Sequence, residues 1–174
     1  DADRAGDEPY LLARRNPAAH VFVACKKSDG VRVAVEEFSA DVVVLDDGFQ
    51  HRAVKRNIDL VLLDAKYPLS NRWPLPAGLL REFPVALKRA DLLLLTRSDT
   101  DLRFSNGTTP VFKSQHQLDD NAISLYGDEL SFDQLAQKKL FAFAGIAEPS
   151  SFFSALEKAG LPIVSSLPLR DHCK

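Results

Sequence analysis

The 174 residues predict an α/β protein with a mostly parallel sheet flanked by helices. Three observations carry that expectation. Short apolar runs, "VVVL", "LVLL" and "LLLL", alternate along the chain with segments of helical periodicity. The runs lack polar alternation, the pattern of strands covered on both faces by crossover helices. Two of them end in carboxylates, "VVVLDD" and "LVLLDA", which puts acids at the carboxyl ends of strands, where open α/β sheets bind ligands.

Taken in order, strands are predicted at residues 20–25, 41–45, 59–63, 91–95, 110–113, 140–143 and 162–165, where aliphatic and β-branched side chains cluster. Helical patterns fit 8–15, 30–38, 83–89, 131–137 and 150–159. Asp7 is placed to cap the first, with Pro9 in its first turn. Gly160 and Pro162 stop the last. Residues 67–82 break the alternation with Pro68, Pro74, Pro76 and the single tryptophan, Trp73. They read as a long ordered loop, and such loops in compact domains are often functional. The polar residues 97–109 divide a first part, 1–96, from a second α/β half, 110–174.

Composition narrows the function. With 45% hydrophobic residues, 26% charged residues and a net charge of −2, the chain has no basic surplus of the kind nucleic-acid binders carry. Cys25 and Cys173 match no zinc or redox spacing and suit a reducing, cytosolic compartment. No apolar run approaches the roughly 18–20 residues that span a bilayer. The chain holds no methionine and opens at Asp1, so the expectation is a fragment, incomplete at both ends.

Asp46 and Asp47 are the residues that most need a chemical reason. Adjacent acids at a strand tip repel each other and are costly to desolvate, and a metal ion would relieve both problems. An apolar strand ending in Asp is also the form of the Walker B element, whose carboxylate holds Mg²⁺ beside a nucleotide. Asp64 ends a similar run, so the bare pattern is common. His51, just past a glycine turn, could reach the same pocket and relay protons or orient a carboxylate. Asp7 is explained by helix capping alone. Arg81 and Glu82 fit either an exposed pair of charges or a phosphate contact, to which guanidinium is suited. "LLLLTRSD" has the outline of a strand entering a base-reading loop, and Asp171 and His172 read as solvated terminal residues.

The segments "GDEPYLLARR", "VVVLDDGFQHR", "RWPLPAGLLREF", "RADLLLLTRSD", "FAGIAEPSSFF" and "LRDHCK" occur in that order and span essentially the whole chain. Together they resemble the tetraacyldisaccharide 4′-kinase family, the lipid A 4′-kinases. "LDDGFQHR" and "LPAGLLRE" are its specific motifs. The resemblance implies a P-loop-kinase-like fold, ATP and Mg²⁺ as cofactors, and transfer of the γ-phosphate to the 4′-hydroxyl of the lipid A precursor tetraacyldisaccharide 1-phosphate. It also implies peripheral attachment to the membrane surface at the cytoplasmic face of the bacterial inner membrane, with no nucleic-acid partner.

Position by position, the resemblance implies that Asp7 is the catalytic carboxylate and His172 the histidine that pairs with it. Asp46 and Asp47 would hold Mg²⁺. Glu8, Gln50, His51, Arg81 and Glu82 would line the substrate site. The family's glycine-rich G-x-x-x-x-G-K-[ST] loop occurs nowhere in these 174 residues, nor does its N-terminal apolar segment, so cofactor-binding residues are not visible and this chain alone is expected to be inactive. Two other readings stay open. One is a generic Mg²⁺-dependent nucleotide hydrolase or kinase, and the other a non-catalytic relative that binds lipid or a partner protein.

Overall fold

The computed structural model describes residues 2–98 and 104–170. They form two compact units, one ending at Ser114 and one beginning at Gln115. The first is built on a parallel sheet of β1 (Leu60–Asp64), β2 (Leu92–Thr96) and β3 (Val111–Lys113), in that spatial order. Leu60 lies opposite Leu92 and Leu93 opposite Val111, so β2 is the central strand and β3 follows the 97–109 connector into the same sheet.

Being central decides burial. Leu93 and Leu95 are fully buried, each worth roughly 1.5–3 kcal/mol of hydrophobic stabilisation. Leu87 and Ala90 join Leu93 in the core, against which Phe49, Val61, Leu63 and Val111 pack. β1 is covered on one face only, with Leu60 and Leu62 about half exposed, so "LVLL" does not fill two covered faces as expected.

Two further expectations fail for a related reason. Residues 20–25 and 41–45 enter no ladder. Val42 and Val44 are 79% and 88% exposed. A β-rich run becomes a strand only where a neighbour takes up its backbone N–H and C=O groups. Among the described residues, β1 pairs only with β2, and nothing extends the sheet beyond it.

Three helices precede the sheet: α1 (Ala2–Ala5), α2 (Asp7–Arg15) and α3 (Lys27–Glu36). Gly6, at φ +93°, is the N-cap of α2, and Asp7 lies inside the first turn, which corrects its expected role as the cap. Glycine adopts that left-handed backbone at little cost, which moves the helix start one residue upstream. The expected helix at 83–89 is a 3₁₀ segment, Pro84–Arg89, with buried Ala86 and Leu87.

The second unit opens with an antiparallel hairpin, β4 (Asn121–Ile123) with β5 (Glu129–Ser131), which the sequence did not suggest. Its turn is closed by the Ser124 hydroxyl, which accepts from the N–H groups of Tyr126 and Asp128. Ser131 and Gln134 then form a reciprocal capping box on α4 (Phe132–Ala136). A β6–α5–β7 unit completes the fold, with β6 (Leu140–Ala144) parallel to β7 (Ile163–Pro168) and α5 (Pro149–Lys158) between them. Gly160, at φ +76°, ends α5 where the expected stop signal stands.

Candidate functional site

The turn after Leu45 is forced by its residues. Gly48 is buried, and a Cβ there would lie 2.9 Å from that of Leu45. The His51 N–H donates to the Gly48 carbonyl at 2.9 Å, closing the turn. Asp47 holds φ +52°, in the left-handed region where Asp and Asn are the non-glycine residues best tolerated. Two cations attend the acids. Lys27, at the start of α3, donates its Nζ to the Asp46 carbonyl. Arg81 pairs with the Asp47 carboxylate at 2.9 Å.

Arg56 secures the far side of the turn. Its Nη1 donates to the carbonyls of His51 (2.6 Å) and Val54 (2.9 Å). Its Nε and Nη2 grip the Asp59 carboxylate at 2.7 and 3.1 Å. The Asp59 N–H in turn donates to Asp91 at 2.8 Å. The acidic turn is thereby tied to the entrance of β1 and β2.

Residues 67–82 form the ordered loop the prolines predict. Asn71 donates to the Ala77 carbonyl at 2.8 Å and accepts from the Trp73 N–H at 3.2 Å. The Leu75 N–H donates to the Leu80 carbonyl and the Leu80 N–H to the Trp73 carbonyl, at 3.0 and 3.2 Å. A Cβ on Gly78 would come within 2.1 Å of the Trp73 carbonyl oxygen, so the inner wall of the loop admits only glycine. Trp73 packs edge-on against Phe83, with ring centroids 5.8 Å apart.

The loop delivers Arg81 and Glu82 beside an open groove of about 440 Å³, which Phe83 and Arg89 also line. Glu82 accepts two parallel bonds from Arg89, at 3.0 and 2.9 Å. That hydrogen bonding holds its carboxyl below the ordinary carboxylate range, against partial desolvation. The charge of Arg89, a hydrogen bond from Gln50 and the charge of Arg52 act in the same direction.

The structure therefore joins the two specific motifs through the Asp47–Arg81 ion pair, with Gln50 close enough to Glu82 to help lower its carboxyl. His51 stands exposed on the same turn. Asp7 and Glu8 stand exposed in the first turn of α2, where the Asp7 carboxylate accepts from the Glu8 N–H at 3.0 Å. Asp171 and His172 lie outside the described residues. Asp64, which does end a strand, β1, accepts from the Lys66 N–H at 2.9 Å and pairs with Arg97.

Among the described residues no three His, Cys, Asp or Glu side chains gather as a metal cage. Asp46 and Asp47 still fit Mg²⁺, which takes one or two carboxylates and fills its remaining positions with water and phosphate oxygens.

Sequence reasoning missed Lys27, Phe49, Arg56 and Arg89. Each looks local in the sequence: a lysine pair before a helix, an aromatic residue in a turn, and basic residues flanking strands. The seven-residue step from Glu82 to Arg89 across Pro84 was the one available signal, since proline there favours a tight turn that brings the two together.

A mostly parallel α/β sheet with acids ahead of it and an arginine-bearing loop beside them is a fold of the P-loop-kinase type. The family model described as Tetraacyldisaccharide-1-P 4'-kinase (LpxK) matches residues 1–174, and the chain belongs to that family. It is 52% identical to the tetraacyldisaccharide 4'-kinase of Syntrophotalea carbinolica, over 99% of this chain and 48% of that protein. The enzyme of the same name from Geobacter metallireducens is 38% identical, over 99% and 51%. The crystal structure of the "apo" form of LpxK from Aquifex aeolicus, in complex with ATP, superposes with a TM-score of 0.83 at 32% identity. That match covers 99% of this chain and 54% of the Aquifex chain. The chain thus spans about half the length of the curated relatives it matches.

Proposed function

We propose that the whole protein carrying this chain transfers the γ-phosphate of ATP to the 4′-hydroxyl of tetraacyldisaccharide 1-phosphate, a step of lipid A biosynthesis. One observation carries the reading. The "LDDGFQHR" turn and the "LPAGLLRE" loop share one surface through the Asp47–Arg81 ion pair and through Arg89, which grips Glu82 and lies over the Phe49 ring. Membership of the family and the ATP bound by the Aquifex relative support the same assignment.

In this reading Asp46 and Asp47 hold Mg²⁺, which when bound neutralises charge on the ATP phosphates. Asp7 accepts the proton of the 4′-hydroxyl while that oxygen bonds to the γ-phosphorus. The bond from the γ-phosphorus to the β-bridging oxygen breaks, and ADP leaves. His172 orients Asp7 and stabilises its charge. Arg81 exchanges its pairing with Asp47 for a phosphate oxygen, and Glu8, Gln50 and His51 line the acceptor side. Glu82 fixes the loop from which Arg81 projects. The acceptor carries four acyl chains and lies in a bilayer, so the protein meets it peripherally at the membrane surface. ATP supply places that encounter on the cytoplasmic face.

The test is the whole protein with tetraacyldisaccharide 1-phosphate and γ-labelled ATP. The expected product is lipid labelled at the 4′ position and dependent on Mg²⁺. Arg81→Ala is expected to lower that labelling by on the order of 10²-fold while affecting Mg·ATP binding far less. ATP hydrolysis without lipid labelling, or equal loss of both properties, would favour a generic nucleotide hydrolase. Absence of Mg·ATP binding would favour a non-catalytic relative.

A further inference from the structure

Arg89 makes contacts that an exposed ion pair does not. Both of its terminal nitrogens donate to the two oxygens of Glu82, at 3.0 and 2.9 Å. The guanidinium carbon sits 4.5 Å from the centre of the Phe49 ring. Its side chain is 30% exposed, and Nε is buried with no hydrogen-bond partner among the described residues. Phe49 packs in turn on the core cluster of Leu87, Ala90 and Leu93. A single cation thus joins the loop that ends in Glu82, the turn that contains Phe49, and the sheet beneath both.

The direct contacts between the two motifs are too weak to do this alone. Asp47 and Arg81 are each 62% exposed, and exposed pairs contribute only about 0–1 kcal/mol. A bidentate carboxylate grip combined with stacking on an aromatic face is both stronger and more directional.

We propose that Arg89 is a positioning residue of this site, its guanidinium clamping the Glu82 carboxylate and the Phe49 ring together so that Arg81 and Gln50 stay in register with Asp46 and Asp47. The proposal rests on the kinase reading for its kinetic consequences but not for the clamp itself. Arg89 touches neither acceptor nor nucleotide in this scheme. It acts through Glu82 and Phe49. Lysine cannot replace it, because an ammonium group offers no planar fork and does not stack.

The test uses the whole protein with Arg89→Lys, Arg89→Met, Glu82→Gln and the double variant Arg89→Met/Glu82→Gln. A carbon-13 titration of the Glu82 carboxyl requires no turnover. It is expected to place the wild-type group below the ordinary Glu value of about 4.3 and to move it upward in Arg89→Met. An unmoved Glu82 titration overturns the clamp whether or not the protein phosphorylates lipid.

If wild type labels the acceptor, Arg89→Lys is expected to lower kcat by roughly 10- to 100-fold with KM for ATP changed much less. The double variant should be no worse than the poorer single variant, because both break one unit. An Arg89→Lys enzyme with wild-type kcat, or losses that multiply in the double variant, would refute the positioning role. Wild type without lipid labelling would refute the kinase reading alone and leave the carboxyl titration to decide the clamp.

Discussion

Asp47 carries two constraints on one residue. Its backbone stands at φ +52°, and its carboxylate is held by Arg81. Asn tolerates that backbone but has no charge. Asp47→Asn is therefore expected to leave the melting temperature within a few degrees, because a pair exposed to 62% on each side contributes little to stability. In the proposed reading, Mg²⁺-dependent phosphorylation by the whole protein should fall by at least about tenfold, since one of the two carboxylates that would hold the metal is lost. Full activity in Asp47→Asn would remove Asp47 from the metal site. Asp46 and Asp47 stood out in the sequence because paired carboxylates at a strand tip need a chemical explanation. Lys27 and Arg89 did not, because a basic residue has many uses and only tertiary contact selects among them.

At the scale of elements, the acidic turn owes its shape to Arg56. With Arg56 and Asp59 exposed by only 15% and 17%, the pair is close to buried, and two backbone carbonyls depend on the same guanidinium. Removing one partner of such a pair leaves the other charge and both carbonyls uncompensated. Arg56→Ala is expected to cost about 3 kcal/mol, read as a lower urea midpoint with unchanged slope. A loss below about 1 kcal/mol would mean that water replaces these contacts readily. The strands the sequence predicted most accurately, β1, β2, β3 and β6, lie within one residue of their expected bounds, and each has a ladder partner: β1–β2–β3 in one sheet and β6 with β7. Residues 20–25 and 41–45 carry equally β-prone side chains and form none. Composition reports what a residue prefers; the ladder depends on a neighbour that a local window does not contain. The hairpin of β4 and β5 escaped notice because its strands are three residues long and, unlike the equally short β3, hold at most one β-branched or aromatic side chain each.

For the whole chain, apolar surface left uncovered is the dominant property. Val42, Val44, Leu60 and Leu62 are exposed in the first unit, and Phe141, Phe143 and Val164 in the second. Exposed apolar side chains in this number favour association in water. The 174-residue chain produced by itself is expected to self-associate at concentrations on the order of 10 μM, seen as species heavier than monomer in sedimentation velocity. A clean monomer would mean that these side chains repack in solution. The α/β class was legible from the alternation of runs and helices. The uncovered faces were not, since apolar runs alone do not say whether anything lies against them.

The crossover between β1 and β2 spans residues 65–91 and contains both the proline-rich loop and the 3₁₀ segment. Parallel strands meet only after the chain between them has closed on itself, an entropic cost that precedes the gain from pairing. Here the chain that must close is also the one that presents Arg81 and Glu82. Closure of the central ladder and presentation of those side chains therefore fall on the same segment of chain, and in the proposed reading the surface that carries Arg81 takes shape as the sheet forms.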